Sequence, residues 1–278
     1  MPSVNATSLY LRVGIFAFAG ILTLQIASWL FAWTGLLVQA VLSVFFAAVV
    51  ANGIALRVFE RGGLSWIGLA WKATSNRHLW LGIGGGVASA LFVSAIPAGL
   101  GLGSYVSTPD RPLNWSSIAF VSIALLFGAI GEELLFHGYA FQLMMSKFGA
   151  FATMLPVGVL FALAHENNLG ANWLSSFNTF LWGVFLGLCF LRSGDLWLAI
   201  GVHFGWNWGL SVSGAQVSGF QMSATGVKIE WKIAPIWSGG DYGPEAGLFC
   251  TMVLPLLGYL LWRAPVTTER PPLFPSDE

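Results

Sequence analysis

Eight stretches of the chain are apolar around their whole circumference when wound as helices, as bilayer or core helices are. They run at about residues 10–32, 36–58, 79–102, 116–146, 151–167, 174–191, 196–212 and 246–263. A spanning helix takes about 20 mostly apolar residues. The stretch 151–167 is short for a span, and 116–146 is long enough to tilt or to leave the bilayer at one end. Polar runs at 59–78, 103–114 and 213–245 read as loops, and the Pro-rich ending PPLFPSDE reads as part of a disordered tail over 264–278. The expected fold is all-α: a polytopic membrane bundle of about eight transmembrane helices, one integral membrane domain over 1–278 with no internal repeat.

Composition strengthens this reading. Hydrophobic residue types make up 56% of the chain and charged types 9%, where a soluble domain carries about 25% charged. So few charges cannot cover a water-facing surface. The net charge of zero gives no reason to expect a nucleic-acid partner. Basic residues set the orientation. Arg12, Arg57, Arg61, Lys72, Arg77, Lys147, Arg192, Arg263 and Arg270 fall on one side, and only Arg111, Lys228 and Lys232 on the other. Both termini are therefore expected in the cytoplasm, and the short-looped, low-charge form fits a prokaryotic inner membrane. Tryptophans at span ends, among them Trp71, Trp80, Trp115, Trp173 and Trp262, sit where interfacial anchors belong. The N-terminus has no basic region before its apolar run and no A-x-A-like site, so the first apolar stretch reads as a span and not as a cleaved signal. Cys189 and Cys250 lie in apolar runs at no metal or redox spacing.

The ionisable residues inside the spans are few: Glu132, Glu133, His137, His165 and His203, with Asn207 as a further strong polar group. Charge at membrane depth is costly, so such residues are functional candidates by default. The fourth and fifth spans form a hairpin turning near residues 148–150, and Glu132 and His165 lie about equally far from that turn, roughly 24 Å at 1.5 Å per residue. Antiparallel neighbours would set them side by side. In GVHFGWNW, His203 and Asn207 stand at i and i+4 on one helix face. Adjacent helix residues point about 100° apart, so Glu132 and Glu133 face different ways. Glu133 and His137, at i and i+4, can pair with each other and leave Glu132 free.

Such a set suits water activation. A carboxylate in apolar surroundings is a stronger base than one in water, and a nearby imidazole can orient the water and manage its proton. A second imidazole and a carboxamide can donate to a developing oxyanion. Together they could hydrolyse an amide.

The same residues carry a family resemblance. EELLFHG at 132–138 is similar to the EExxxRG motif of the CAAX prenyl endopeptidase and bacteriocin-processing (CPBP, or Abi) intramembrane proteases. FALAH at 161–165 matches its FxxxH motif and HFGWN at 203–207 its HxxxN motif, in the family's order, within a core of about 116–212. The resemblance implies a glutamate-dependent endopeptidase without metal or cofactor. Glu132 and His165 would activate water, and His203 and Asn207 would form the oxyanion site. Glu133 would be the structural carboxylate that usually pairs with the motif arginine. Here the chain departs from the family, with His137 at the arginine position.

Other readings stand beside this one. Two histidines and a carboxylate are an ordinary zinc set, although HENNL at 165–169 ends in Leu and so fails HExxH. A proton-coupled transporter or a non-catalytic scaffold would also bury such groups. Glu166, Asn167 and Asn168 read as the end of the fifth helix, and His78 as a solvated residue of a basic loop. The run GIGGGVASA at 82–90 lacks a GK[ST] ending and reads as small residues for close helix packing. The expected partner is a membrane-associated protein or peptide substrate within the lipid bilayer. His165 precedes the polar run 166–172, and Asn207 precedes the polar segment from Ser211, so the charge rule puts the site toward the non-cytoplasmic face. Single cysteines placed within 166–172 should then react with a membrane-impermeant maleimide added outside the cell. Labelling only after the cytoplasm is opened would reverse the orientation.

Overall fold

The computed structural model describes residues 6–270 and 273. Its long helices are α1 (Ala6–Leu30), α2 (Leu36–Ala55), α3 (Ala73–Val93), α4 (Trp115–His137), α5 (Tyr139–Phe148), α6 (Ala150–Ala164), α7 (Trp173–Ser193), α8 (Trp197–Val212) and α9 (Leu248–Arg263). All eight apolar stretches are therefore mainly helical, and the chain is a helical membrane bundle. Among the described residues, five helical stretches are long and apolar enough to cross a membrane: Ala6–Leu30, Leu36–Glu60, Ala73–Leu102, Trp115–Phe148 (α4 and α5 taken together) and Trp173–Ser193. Large apolar side chains such as Phe18, Trp29, Leu100 and Phe151 lie on the outside, as a lipid-facing surface requires.

The stretch expected as one long span, 116–146, is two helices. The chain breaks at Gly138, between α4 and α5, where φ is −76° and ψ −139°. A Cβ there would come within 2.2 Å of the Leu134 carbonyl oxygen and 2.5 Å of Asn52 Oδ1, so no larger residue fits. Asn52, wholly buried on α2, satisfies the groups the break frees. Its Nδ2 donates to the carbonyls of Leu134 and Ala48, each at 2.8 Å, and its Oδ1 accepts from Tyr139 N at 2.8 Å. Gln142 Nε2 donates to the His137 carbonyl at 3.1 Å. Away from water a freed backbone group must find such a partner.

Helices α3 and α8 pack with almost no side chain between them. A Cβ on Gly86 would lie 2.3 Å from the Val202 carbonyl oxygen, and one on Gly205 2.4 Å from that of Ile83. The small residues of the 82–90 run thus serve close packing. Asp195 caps α8, its Oδ1 accepting from Trp197 N at 3.1 Å and Leu198 N at 3.4 Å. Its Oδ2 lies 2.7 Å from His78 Nδ1. This corrects the reading of His78 as solvated: it lies inside α3, not in a loop, and is wholly buried. Burial raises the pKa of Asp195, opposed by its contact with His78.

The run 213–245 is an ordered cover. Strands β1 (Gly103–Ser107) and β2 (Val227–Trp231) pair antiparallel, from Gly103 opposite Trp231 to Ser107 opposite Val227. The far end of the run is clamped by Asn178 of α7, whose Nδ2 donates to the carbonyls of Glu245 (2.8 Å) and Gly247 (3.1 Å). Of the tail expected to be disordered, residues 264–270 lie against the end of α7. There Arg192 donates to the carbonyls of Val266 and Ala264, and Glu269 N to that of Ser193. Glu269 also accepts from Lys72 and Thr74, which lower its pKa. Residues 271, 272 and 274–278 of that tail lie outside the described residues.

The α3–α8 contact gives a paired prediction. Gly86→Ala should destabilise by about 1–3 kcal/mol, the usual effect of overpacking against a rigid backbone. Gly84→Ala, whose Cβ would meet nothing within 4 Å, should be neutral or stabilising by up to about 1 kcal/mol. Thermal unfolding of both variants in one detergent checks this.

Candidate active site

The site begins with the capped ends of three helices. Asn114 caps α4, its Oδ1 accepting from Ser116 N at 2.8 Å and Ser117 N at 3.2 Å. Asn172 caps α7 in the same manner and Asp195 caps α8. Between α6 and α7, Gly158 and Gly183 bring the backbones together, a Cβ on Gly183 falling 2.9 Å from Phe161 Cβ. Close approach of α6, α7 and α8 to α4 lets side chains from four helices converge.

Glu132 and Glu133 leave α4 in different directions, and each meets histidines. Glu132 Oε2 is 3.5 Å from His165 Nε2 and 3.7 Å from His203 Nε2. That oxygen is buried and makes no hydrogen bond. His165 stands at the C-cap of α6, where its Nδ1 donates to the Phe161 carbonyl at 2.7 Å. His203 Nδ1 lies 2.8 Å from Glu133 Oε1. Both rings are therefore anchored at Nδ1 and present Nε2 to Glu132. Glu133 is wholly buried, and its other oxygen, Oε2, lies 2.8 Å from His137 Nδ1. His137 Nε2 in turn donates to the Gly183 carbonyl at 3.1 Å.

Glu133 thus does more than pair within its own helix. Its two oxygens join His137 of α4 to His203 of α8, so the two glutamates share a histidine from opposite ring nitrogens. Aromatic rings close the site: Phe161 lies 4.7 Å from the His165 ring and 6.1 Å from that of His203, and Trp182 lies 4.6 Å from Trp206.

A cavity of about 410 Å³ adjoins these groups. Glu132, His165, His203 and Asn207 line it, and Glu133 and His137 do not. Asn168, Ser218 and Glu245 add polar groups to its lining, and Leu24 of α1, Leu37, Val41 and Val44 of α2, and Leu125 of α4 add apolar ones. Glu166 is exposed and does not line the cavity. Among the described residues, no three His, Cys, Asp or Glu side chains are grouped as metal ligands would be.

One acidic residue at the cavity escaped the sequence reading. Glu245, in the run assigned to a polar loop, is buried. Its Oε1 accepts from Trp206 Nε1 at 3.0 Å, and its Oε2 from Ser218 N at 2.5 Å and Ser218 Oγ at 3.1 Å. A lone glutamate after a proline, at the edge of a span, carries no pattern that would mark it.

No curated protein matches the chain. Residues 114–209, from the cap of α4 to within α8, match the family model described as Type II CAAX prenyl endopeptidase Rce1-like. The three motifs all fall inside this segment. Over α4 to α8 the chain is therefore similar to the Rce1-like type II CAAX prenyl endopeptidases.

Proposed function

We propose that the protein is a glutamate-type intramembrane endopeptidase, hydrolysing a peptide bond near a membrane-anchored or C-terminal segment. The observation that carries the reading is the bare oxygen of Glu132. It is buried, unbonded, and faced by two imidazole nitrogens whose partners across the ring are already engaged. A water between Glu132 Oε2 and His165 Nε2 would fill the hydrogen-bonding capacity of both.

Glu132 takes a proton from that water as its oxygen attacks the scissile carbonyl carbon. The carbonyl π electrons move onto oxygen. His203, protonated at both nitrogens, donates from Nε2 to the oxyanion while Nδ1–H stays on Glu133. Asn207 Nδ2 is the second donor, one helical turn further along α8. Donors fixed before the charge forms are worth most where water is excluded. The tetrahedral intermediate then collapses, the C–N bond breaks, and the proton held by Glu132 passes to the leaving nitrogen. His165 keeps the water oriented toward the carbonyl, since Nδ1–H is committed to the Phe161 carbonyl. The apolar lining of the cavity suits the membrane-embedded part of a substrate, and the cover formed by 213–247 contributes Ser218 and Glu245 to its polar lining. By the charge rule the site opens toward the non-cytoplasmic face.

Purified protein should cleave members of a library of membrane-anchored peptides. Glu132→Gln and His165→Ala should each lower kcat by at least about 100-fold, the range for losing an acid–base group, with cleavage unchanged by a chelator. Cleavage abolished by chelator and restored by zinc would replace this reading with a metalloprotease. Proton flux in liposomes that depends on Glu132, without cleavage, would replace it with a transporter.

A further inference from the structure

A second cavity, of about 310 Å³, lies between α3, α7, α8 and α9. Among the described residues, its lining shares none with the cavity at Glu132. The floor is buried and apolar, with Phe185 and Cys189 of α7 and Val202 of α8. The rim is open: Leu81 and Phe92 of α3 and Leu256 and Leu260 of α9 line it and are exposed on the outside of the bundle. Ser89 Oγ, a polar group in this lining, is spent on the Gly85 carbonyl at 2.7 Å. Such walls hold a hydrocarbon chain and offer little to a ligand that needs hydrogen bonds.

The groove has the depth of one leaflet. Along α3 its lining runs from Leu81 to Phe92, and along α9 from Val253 to Ala264 at the C-cap. Each stretch covers roughly 16 Å at 1.5 Å per residue, and half of a hydrocarbon core is about 15 Å. The start of α3 and the end of α9 lie together, because Glu269 accepts from Lys72 and Thr74. Arg192 donates to the carbonyls of Ala264 and Val266 and so fixes that end of the groove.

Charge gathers at the same end. Arg77 stands one turn before Leu81 on α3, and Arg263 follows Leu260 by three residues on α9, so helix periodicity keeps each on the face that lines the groove. Both are exposed. Among the described residues neither has an ion pair. The acids nearby are already engaged, Asp195 by His78 and Glu269 by Lys72. Trp80, next to Leu81, and Trp262, next to Arg263, are exposed as tryptophans at the membrane–water interface are. The two guanidiniums therefore stand at headgroup level, above a groove one acyl chain deep.

We propose that this groove binds one anionic phospholipid, with an acyl chain between α3 and α9 and the phosphate on Arg77 and Arg263. A guanidinium matches a phosphate with two parallel hydrogen bonds. A zwitterionic headgroup brings its own cation to the phosphate and gains less from these arginines. Basic pockets between transmembrane helices recognise lipid headgroups in this way. The site stands apart from the reaction proposed for Glu132 and does not depend on it.

The test is native mass spectrometry of delipidated protein in detergent, titrated with phosphatidylglycerol or with phosphatidylcholine of the same acyl chains. One phosphatidylglycerol per chain should bind saturably, roughly 5- to 30-fold tighter than phosphatidylcholine, the range for two basic residues near a headgroup. Arg77→Gln with Arg263→Gln should remove that preference. Gly85→Phe should weaken both lipids, since a Cβ at Gly85 meets nothing within 4 Å and its ring would fill the groove. Thermal unfolding shows whether that variant folds, and Ala88→Phe, at an exposed position of the same lining, is the second filling variant. Phosphatidylglycerol carrying a diazirine in its acyl chain should crosslink to residues 81–92 and 253–264. Equal affinity for the two lipids in the wild type, or a preference that survives loss of both arginines, would overturn the proposal. So would crosslinks spread evenly over α1 and α2, as an unspecific lipid shell would give. A dimer that both filling variants dissolve would assign the groove to a second copy of the chain instead.

Discussion

A carboxylate with no access to water must be met by donors or it cannot stay charged, and Glu133 imposes that requirement on the bundle. Removing one partner of a buried charge costs several kcal/mol because the other is left uncompensated. Its partners come from its own helix and from α8. Meeting the requirement therefore fixes α4 against α8, and the Gly183 carbonyl behind His137 fixes both against α7. Glu132, one residue away and turned to the other side, can then be left unbonded at a definite place.

That arrangement needs backbones close enough for short polar side chains to reach across. Glycines on α3, α6, α7 and α8 supply the closeness, with backbone atoms standing where a Cβ would otherwise be. In a bilayer, lipid tails are as apolar as leucine, so helix association gains from such packing and from interhelical hydrogen bonds. Both are used here, and in the same places. The glycine-rich faces lie along helices that carry or support the polar groups.

Much of this was legible in the chain. Eight apolar stretches correspond to helices, because apolarity over such lengths has few other uses. The approach of Glu132 to His165 follows from two antiparallel segments about a turn, and the i, i+4 pairing of Glu133 with His137 from helix geometry. Other features depend on contacts distant in sequence. The break at Gly138 is set by Asn52, 86 residues earlier. His78 looks like a loop histidine beside Arg77 until Asp195 is placed against it. Glu245 and Asn178 are ordinary residues locally, and their roles arise only when the cover folds back on α7. The link from Glu133 to His203 joins residues 70 apart, and helix periodicity alone would pair Glu133 only with its own helix.

The pairing of β1 with β2 bears on how readily this protein can change. The cover is held there by main-chain hydrogen bonds over five residue pairs, and a main chain makes the same bonds whatever side chains it carries. Outward positions such as Tyr105, Lys228 and Glu230 are thus free to drift through mutation while the strands keep their register. The surface met by an approaching molecule can be rewritten without disturbing what lies beneath. One core could in this way be presented behind many different faces.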